Sequence, residues 1–169
     1  MTDAVALAPL DVAHVAPLRA LHQQPGVTRW WGPMEPDFPF DEPESSRYAI
    51  LVGGVVAGLV QHGEESWPDN RHAYIDVFVG DEFANRGIGT EVVRRVIRML
   101  IEEHGHHRIT IDPAVENEAA IRSYEKAGFR RVGVLRRAYR EPSFGDWRDE
   151  LLMELVVEPQ RQSRPAPRD

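Results

Sequence analysis

The sequence predicts a single α/β domain in which a mixed, mostly antiparallel sheet of about seven strands carries helices on its faces. Three observations predict it. A hairpin pair is followed by strand, helix, strand, helix and two closing strands, an order that layers helices on a sheet. The chain of 169 residues is long enough for one hydrophobic core and too short for two comfortable ones. The 42% hydrophobic content is spread in short runs, none near the roughly 18 apolar residues of a membrane span.

Residues 5–10 read as a short strand, and Asp11 caps a helix on which Val12, Val15, Leu18 and Leu21 recur at helical spacing. The pattern is lost over 23–46, a stretch with six prolines or glycines before Phe40 and with Trp30, Trp31, Phe38 and Phe40 among them. So much aromatic surface implies packing, as a lid or wall over something. Residues 47–52, the Gly53-Gly54 pair and 55–62 read as strand, tight turn and strand. After a polar loop, 72–79 alternates, with Ala73, Ile75, Val77 and Val79 facing a core and His72, Tyr74, Asp76 and Phe78 facing away.

Ile88, Val92, Val93, Val96, Ile97, Leu100 and Ile101 then form one stripe of a long helix ending near His104-Gly105. Residues 108–112 read as a strand, and Asn117 caps a second helix that stops at Gly128. Residues 129–136 and 147–157 look like the closing strands. The domain is expected to span 1–158, with 159–169, almost free of apolar side chains, as a disordered tail.

Composition excludes several chemistries. The chain has no cysteine, which removes disulfides, thiolate zinc sites and a cysteine nucleophile. A formal net charge of -7 with pI near 5.5 disfavours nucleic-acid binding and favours cationic ligands. The acidic opening Met1-Thr2-Asp3 lacks the features of a secretory signal, so a soluble, cytoplasmic protein without a membrane partner is expected. His104, His106 and His107 suit a helix C-terminus and lack an acidic partner at ligand spacing, so no metal is expected.

Asn85-Arg86-Gly87-Ile88-Gly89-Thr90 places glycines where the long helix begins. Unpaired amides and the helix dipole there favour an anion, and glycine lets a phosphate reach the backbone. A tight turn needing glycine for geometry alone gives the same pattern. No GK[ST] follows, as a nucleotide hydrolase or kinase would need, and Val92 stands where a dinucleotide fingerprint has its third glycine. Downstream, Asn117-Glu118-Ala119-Ala120-Ile121-Arg122-Ser123-Tyr124-Glu125-Lys126-Ala127-Gly128-Phe129 resembles the N-x-x-A-x-x-x-Y-E-K-x-G-F signature of the GNAT acetyltransferase superfamily, over a span that with its flanking elements covers about 47–157.

That resemblance implies the GNAT acyltransferase fold, with a V-shaped split between the strands at 72–79 and 108–112, and acetyl-CoA as co-substrate within it. The pyrophosphate would rest on the amides of Arg86, Gly87, Ile88, Gly89 and Thr90. The pantetheine arm would pair with the backbone of Phe78 and Val79, and Asn117, Ala120, Tyr124 and Lys126 would complete the CoA site. Ala84 departs from the Arg or Gln usual in the family. Tyr124 stands where the family's general acid meets the CoA sulfur, a phenol that donates as the thiolate leaves. It is also compatible with a packed aromatic, and Asn117 with a cap alone.

Transfer to an amine requires a base. Asp76, mid-strand where an acid is a poor strand former, is the candidate, against a plain solvent-facing position. The segments 27–32, 74–76 and 110–113 look most like aminoglycoside 6'-N-acetyltransferases, which implies that Asp76 and Asp112 meet substrate ammonium groups and that Trp30 and Trp31 wall the acceptor. Aromatic faces add cation–π attraction. Asp112 before Pro113 also suits a turn, and the tryptophans suit core filling. Acyltransferases of hydroxylated lysine in siderophore synthesis and protein N-terminal acetyltransferases share parts of the pattern, and a non-catalytic CoA-binding module is a further alternative. The closing strands are compatible with a monomer or a homodimer.

Overall fold

The computed structural model of the protein describes residues 4–140 and 145–158; the expected tail at 159–169 and the first three residues lie outside the described residues. Seven strands form one sheet in the order β1-β2-β3-β4-β5-β7-β6. They are β1 (Val5–Pro9), β2 (Ser46–Val52), β3 (Val55–Glu65), β4 (His72–Val79), β5 (Arg108–Ile111), β6 (Arg130–Arg140) and β7 (Trp147–Val156). All neighbours are antiparallel except β4 and β5. The helices are α1 (Val15–His22), α2 (Pro25–Trp31), α3 (Ile88–Glu102) and α4 (Glu118–Ala127).

Local chemistry accounts for most boundaries. Gly53 and Gly54 both have positive φ, 58° and 84°, as a two-residue hairpin turn requires. Asn117 accepts a hydrogen bond from the Ala120 amide at 3.2 Å, and Gly128 ends α4 at φ 114°. The α3 stripe of Ile88, Val92, Val93, Val96, Ile97 and Leu100 is buried against Ile50, Val60, Ala73, Ile75, Ile109 and Met153 of the sheet.

A second core lies among Leu18, Leu21, Val27, Phe38, Leu59 and Phe78, with Trp31 packed against it. The sheet is therefore covered on both sides over β3 and β4. Ala73 and Ile75 take the α3 side as expected, while Phe78, expected to face away from a core, enters this second one.

Three sequence expectations are corrected. The irregular stretch 23–46 contains α2, whose Pro25 sits at the first helical position, where a missing N–H costs nothing and φ is already set. Asp11 caps a single 3-10 turn before α1, and Val12 is 84% exposed, outside the apolar stripe. β6 runs to Arg140 rather than 136; two register shifts against β7 let it continue past the expected end, as bulges do.

Ladder pairing between β4 and β5 covers Ala73↔Ile109 and Tyr74↔Thr110. Beyond those two pairs β4 runs on to Val79, while β5, which pairs with β7 along its other edge, ends at Ile111 before Asp112-Pro113. The expected split between central strands begins there.

Candidate active site

The split opens into a cleft of about 700 Å³. One wall is the free edge of β4, where Ile75, Asp76, Val77, Phe78 and Val79 line the opening. The next is the turn from β4 into α3, which contributes Phe83, Ala84, Asn85, Gly87, Gly89 and Thr90. Asn85 (φ 59°) and Gly87 (φ 80°) are left-handed, and such alternation turns successive amides toward one concavity. A Cβ at Gly87 would meet no protein atom within 4 Å, and one at Gly89 would come only as near as 3.8 Å to Ser123 Oγ. The glycines therefore leave room for something other than this protein. Thr90 and Ser123 share a 2.7 Å hydroxyl hydrogen bond that fastens the start of α3 to α4.

Helix α4 supplies Asn117, Ala120, Tyr124 and Lys126 to the same cleft. Tyr124 is 8% exposed, and burial, then the charges of Asp76 and Asp112, push its phenol above the ordinary range. Arg86 and Ile88, which the sequence grouped with these residues, stand differently. The Arg86 guanidinium lies 5.8 Å from the Phe83 ring centroid, and the Ile88 side chain is buried in the main core.

Asp76 accepts from Gln61 Nε2 at 3.0 Å. Its carboxyl is raised to about 6 by burial, with Asp112 and Glu42 adding to the rise and the Gln61 hydrogen bond opposing it. Asp112, at the end of β5, is raised as well, again by burial. Gln61 Nε2 also donates to Glu42 at 3.0 Å, and Glu42 in turn pairs with Arg47 at 3.1 Å. Arg47 reaches Asp41 and the Pro39 carbonyl. A polar chain thus runs from Asp76 into the proline-rich segment.

Trp31 packs edge-on against Phe78 at 4.8 Å and against His22 at 6.2 Å, a wall shared with the second core. Trp30 is also part of the lining, but Arg29 and Arg148 stand 4.6 Å and 5.6 Å from its ring. The cation–π attraction expected for a ligand at Trp30 is taken up by the chain's own arginines.

Sequence reasoning missed Gln61, Glu42, His22, Tyr139 and Glu150, all of which line the cleft. Glu150 on β7 follows Arg148 and Asp149 directly, so it lacked the signal that singled out Asp76, an acid among apolar neighbours. Burial and the Asp112 and Asp76 charges raise it to about 7. Among the described residues no group of three or more His, Asp or Glu has the arrangement to hold a metal ion, and no helix is long and apolar enough to cross a membrane.

The comparisons with known proteins agree with this architecture. A solved structure of AAC(6')-Ib with paromomycin and acetyl-CoA superposes with a TM-score of 0.73 at 23% identity, over 96% of this chain and 100% of that one. Spermidine N-acetyltransferase from Vibrio cholerae, solved with CoA and spermine, gives 0.74 at 21% identity over 90% and 95%. These likenesses establish the fold. In sequence, 50 residues are 42% identical to the kanamycin resistance protein of Rhizobium radiobacter, 30% of this chain and 46% of that protein. An equal stretch is 42% identical to the aminoglycoside N(6')-acetyltransferase type 1 of Klebsiella pneumoniae, 30% of this chain and 25% of that protein. The matched segment spans less than half of either relative. The pattern of the Acetyltransferase (GNAT) family matches residues 15–129, more than half of the chain, and the protein belongs to that family.

Proposed function

We propose that the protein transfers an acetyl group from acetyl-CoA to a primary amine of a polycationic acceptor, with the 6'-amine of an aminoglycoside as the best fit. One observation carries the reading: where β4 and β5 part, the half-buried Asp76 carboxylate, Asp112 and Tyr124 share a cleft with the glycine-opened start of α3. The open space at Gly87 and Gly89 suits a pyrophosphate on backbone amides. The unpaired edge of β4 at Phe78 and Val79 suits an extended amide-bearing arm added in the manner of a strand. Asn117, Ala120 and Lys126 border the same channel. Ala84 offers no charge here, so the backbone carries the hold on phosphate.

In this reading Asp76, with its pKa near 6, is mostly ionised at neutral pH and takes a proton from the entering ammonium, so that the nitrogen lone pair can attack the thioester carbon. The C–N bond forms as the C–S bond breaks. Tyr124, kept neutral by burial, gives its proton to the departing sulfur as general acid, the second proton shed by the acetylated nitrogen returns to the Tyr124 oxygen, and Asp76 passes the first to solvent. Trp31 walls the acceptor, and Asp112 meets an ammonium. The matched segments of the kanamycin resistance protein and the N(6')-acetyltransferase support an aminoglycoside over hydroxylysine or a protein N-terminus as acceptor.

The test is thiol release from acetyl-CoA with kanamycin, its 6'-hydroxy counterparts, hydroxylysine and a peptide N-terminus. Turnover with kanamycin alone is expected; turnover only with hydroxylysine or peptide replaces the acceptor, and none with any amine leaves a CoA-binding module. Tyr124→Phe should lower kcat about a hundredfold with the KM for acetyl-CoA within twofold.

A further inference from the structure

We propose that Tyr139 and Arg148 form a clasp that closes the acceptor cleft against the end of α2, and that acceptor exchange requires this clasp to open. The inference rests on the amine-acceptor reading above and adds a device that controls access to that site.

Ladder pairing between the two halves of the sheet is confined to Ala73↔Ile109 and Tyr74↔Thr110. From Asp76 to Val79 the β4 edge has no strand beside it on that side among the described residues. At the mouth of the cleft a different contact spans the gap. Tyr139 of β6 and Arg148 of β7 are cross-strand partners, and both line the cleft. This one rung of the closing hairpin rests on the carboxyl end of α2, a helix that belongs to the opposite half through Val27 and Trp31 in the second core.

The fit is local. The Arg29 carbonyl would take its helical hydrogen bond from residue 33, but that residue is Pro33 and has no N–H. Arg148 Nη1 takes that place, donating to the Arg29 carbonyl at 3.1 Å, and the same guanidinium stands 5.6 Å from the Trp30 ring. Tyr139 completes the contact at Gly32. A Cβ there would lie 2.8 Å from the Tyr139 hydroxyl, and the backbone at φ 74° favours glycine. The phenol therefore sits on a bare Cα.

The hairpin also carries a hinge. The β6–β7 register shifts between Leu135 and Tyr139, and within that interval Arg137 is left-handed at φ 54°. Its amide donates to the Asp149 carboxylate at 2.7 Å rather than to a strand carbonyl. A bulge of this kind lets the outer rung turn relative to the inner ladder. The named contacts across the mouth are an exposed hydrogen bond, a cation–π approach and a phenol on a glycine, each modest at an exposed site. Such a clasp closes without locking.

The test reads association and dissociation rates of kanamycin by surface plasmon resonance. Arg148→Leu and, separately, Tyr139→Ala should each raise both rates about fivefold and leave the affinity within about twofold, because the clasp shuts over an empty and a filled cleft alike. Equal melting temperatures exclude a folding effect. Loss of the Arg148 charge, which acts on Glu150, would by itself speed association of a cation and slow its dissociation. Loss of a plain ligand contact would speed dissociation alone. Either of those patterns, or unchanged rates, would overturn the clasp. The chain has no cysteine, so spin labels on the exposed positions Gln23→Cys and Arg140→Cys report the opening without any acceptor. Adding Arg148→Leu should move their distance distribution to longer values, and an unchanged distribution would count against the proposal as firmly as unchanged rates. Labels that part in a protein that binds no kanamycin would sink the acceptor reading and leave the clasp standing. Thiol release from kanamycin, with labels and rates indifferent to both variants, would do the reverse.

Discussion

The two sides of the cleft are built on different principles. On one side, residues 81–90 form a contiguous turn and helix start, and what they present is backbone: the left-handed Asn85 and Gly87, the further glycine Gly89 and the first amides of α3. On the other, Gln61 of β3, Asp76 of β4, Asp112 just past β5 and Glu150 of β7 present side chains, and the carboxyls among them perturb one another. The first side is robust to side-chain change and sensitive to backbone geometry; the second reverses both. A co-substrate common to a whole family suits the first, and an acceptor that differs between relatives suits the second.

The largest expected break in that contrast comes from Asp76→Asn. Acceptor kcat/KM should fall about a hundredfold or more, the acid limb of the pH–rate profile near 6 should vanish, and acetyl-CoA affinity should stay within twofold. Stability should move the other way. A carboxyl raised from 3.8 to about 6 by folding favours the folded state fully below about pH 4, and this contribution is lost as pH rises through 6. Above that it amounts to a deficit of roughly 3 kcal/mol. Asp76→Asn should therefore melt higher than the wild type at pH 7.5, with the gap closing toward pH 4; a constant gap would argue against a buried, raised Asp76.

The backbone side is probed by Gly87→Ala. At φ 80° alanine costs about 1 kcal/mol, a fall in Tm of about 2–4 °C for a chain of this size. The added methyl meets nothing in the protein within 4 Å. If a phosphate approaches there, the KM for acetyl-CoA should rise about tenfold with the acceptor KM unchanged. A loss of stability alone would mean the glycine serves the turn and nothing else.

Legibility in the sequence follows the same division. The glycine turn, the α3 stripe and the Asn117-to-Phe129 run are local, so periodicity and capping rules find them, and they are what made the fold readable. Asp76 was readable because an acid in the middle of an apolar strand is locally odd. Helix α2 was hidden by Pro25 and Gly26, which read as breakers although the first helical turn accommodates proline. The nearness of Asp112 and Glu150 depends on β7 inserting beside β5, between β5 and β6, a choice of partner that no local pattern encodes. Trp30 was readable as an aromatic but not as one already engaged by Arg29 and Arg148, since Arg148 comes from the far end of the chain.

Gln61 gives the smallest and sharpest test, because it touches the proposed base, Asp76, without reaching the chemistry by itself. Its amide donates to Asp76 and to Glu42, fixing the Asp76 carboxylate and lowering its pKa against burial. In Gln61→Leu the carboxylate loses that donor, so kcat should fall a few-fold and the acid limb should move above 6, while the KM for acetyl-CoA holds. Gln61→Glu should move the limb further, since it adds a negative charge as well as removing the donor. If Gln61 only filled space in the sheet, both variants would lower the melting temperature and leave the limb where it was. A shifted limb would therefore mark Gln61 as the residue that positions the base, and would show that the acceptor side is tuned by side chains at one remove from the reacting atoms, as the backbone side is not.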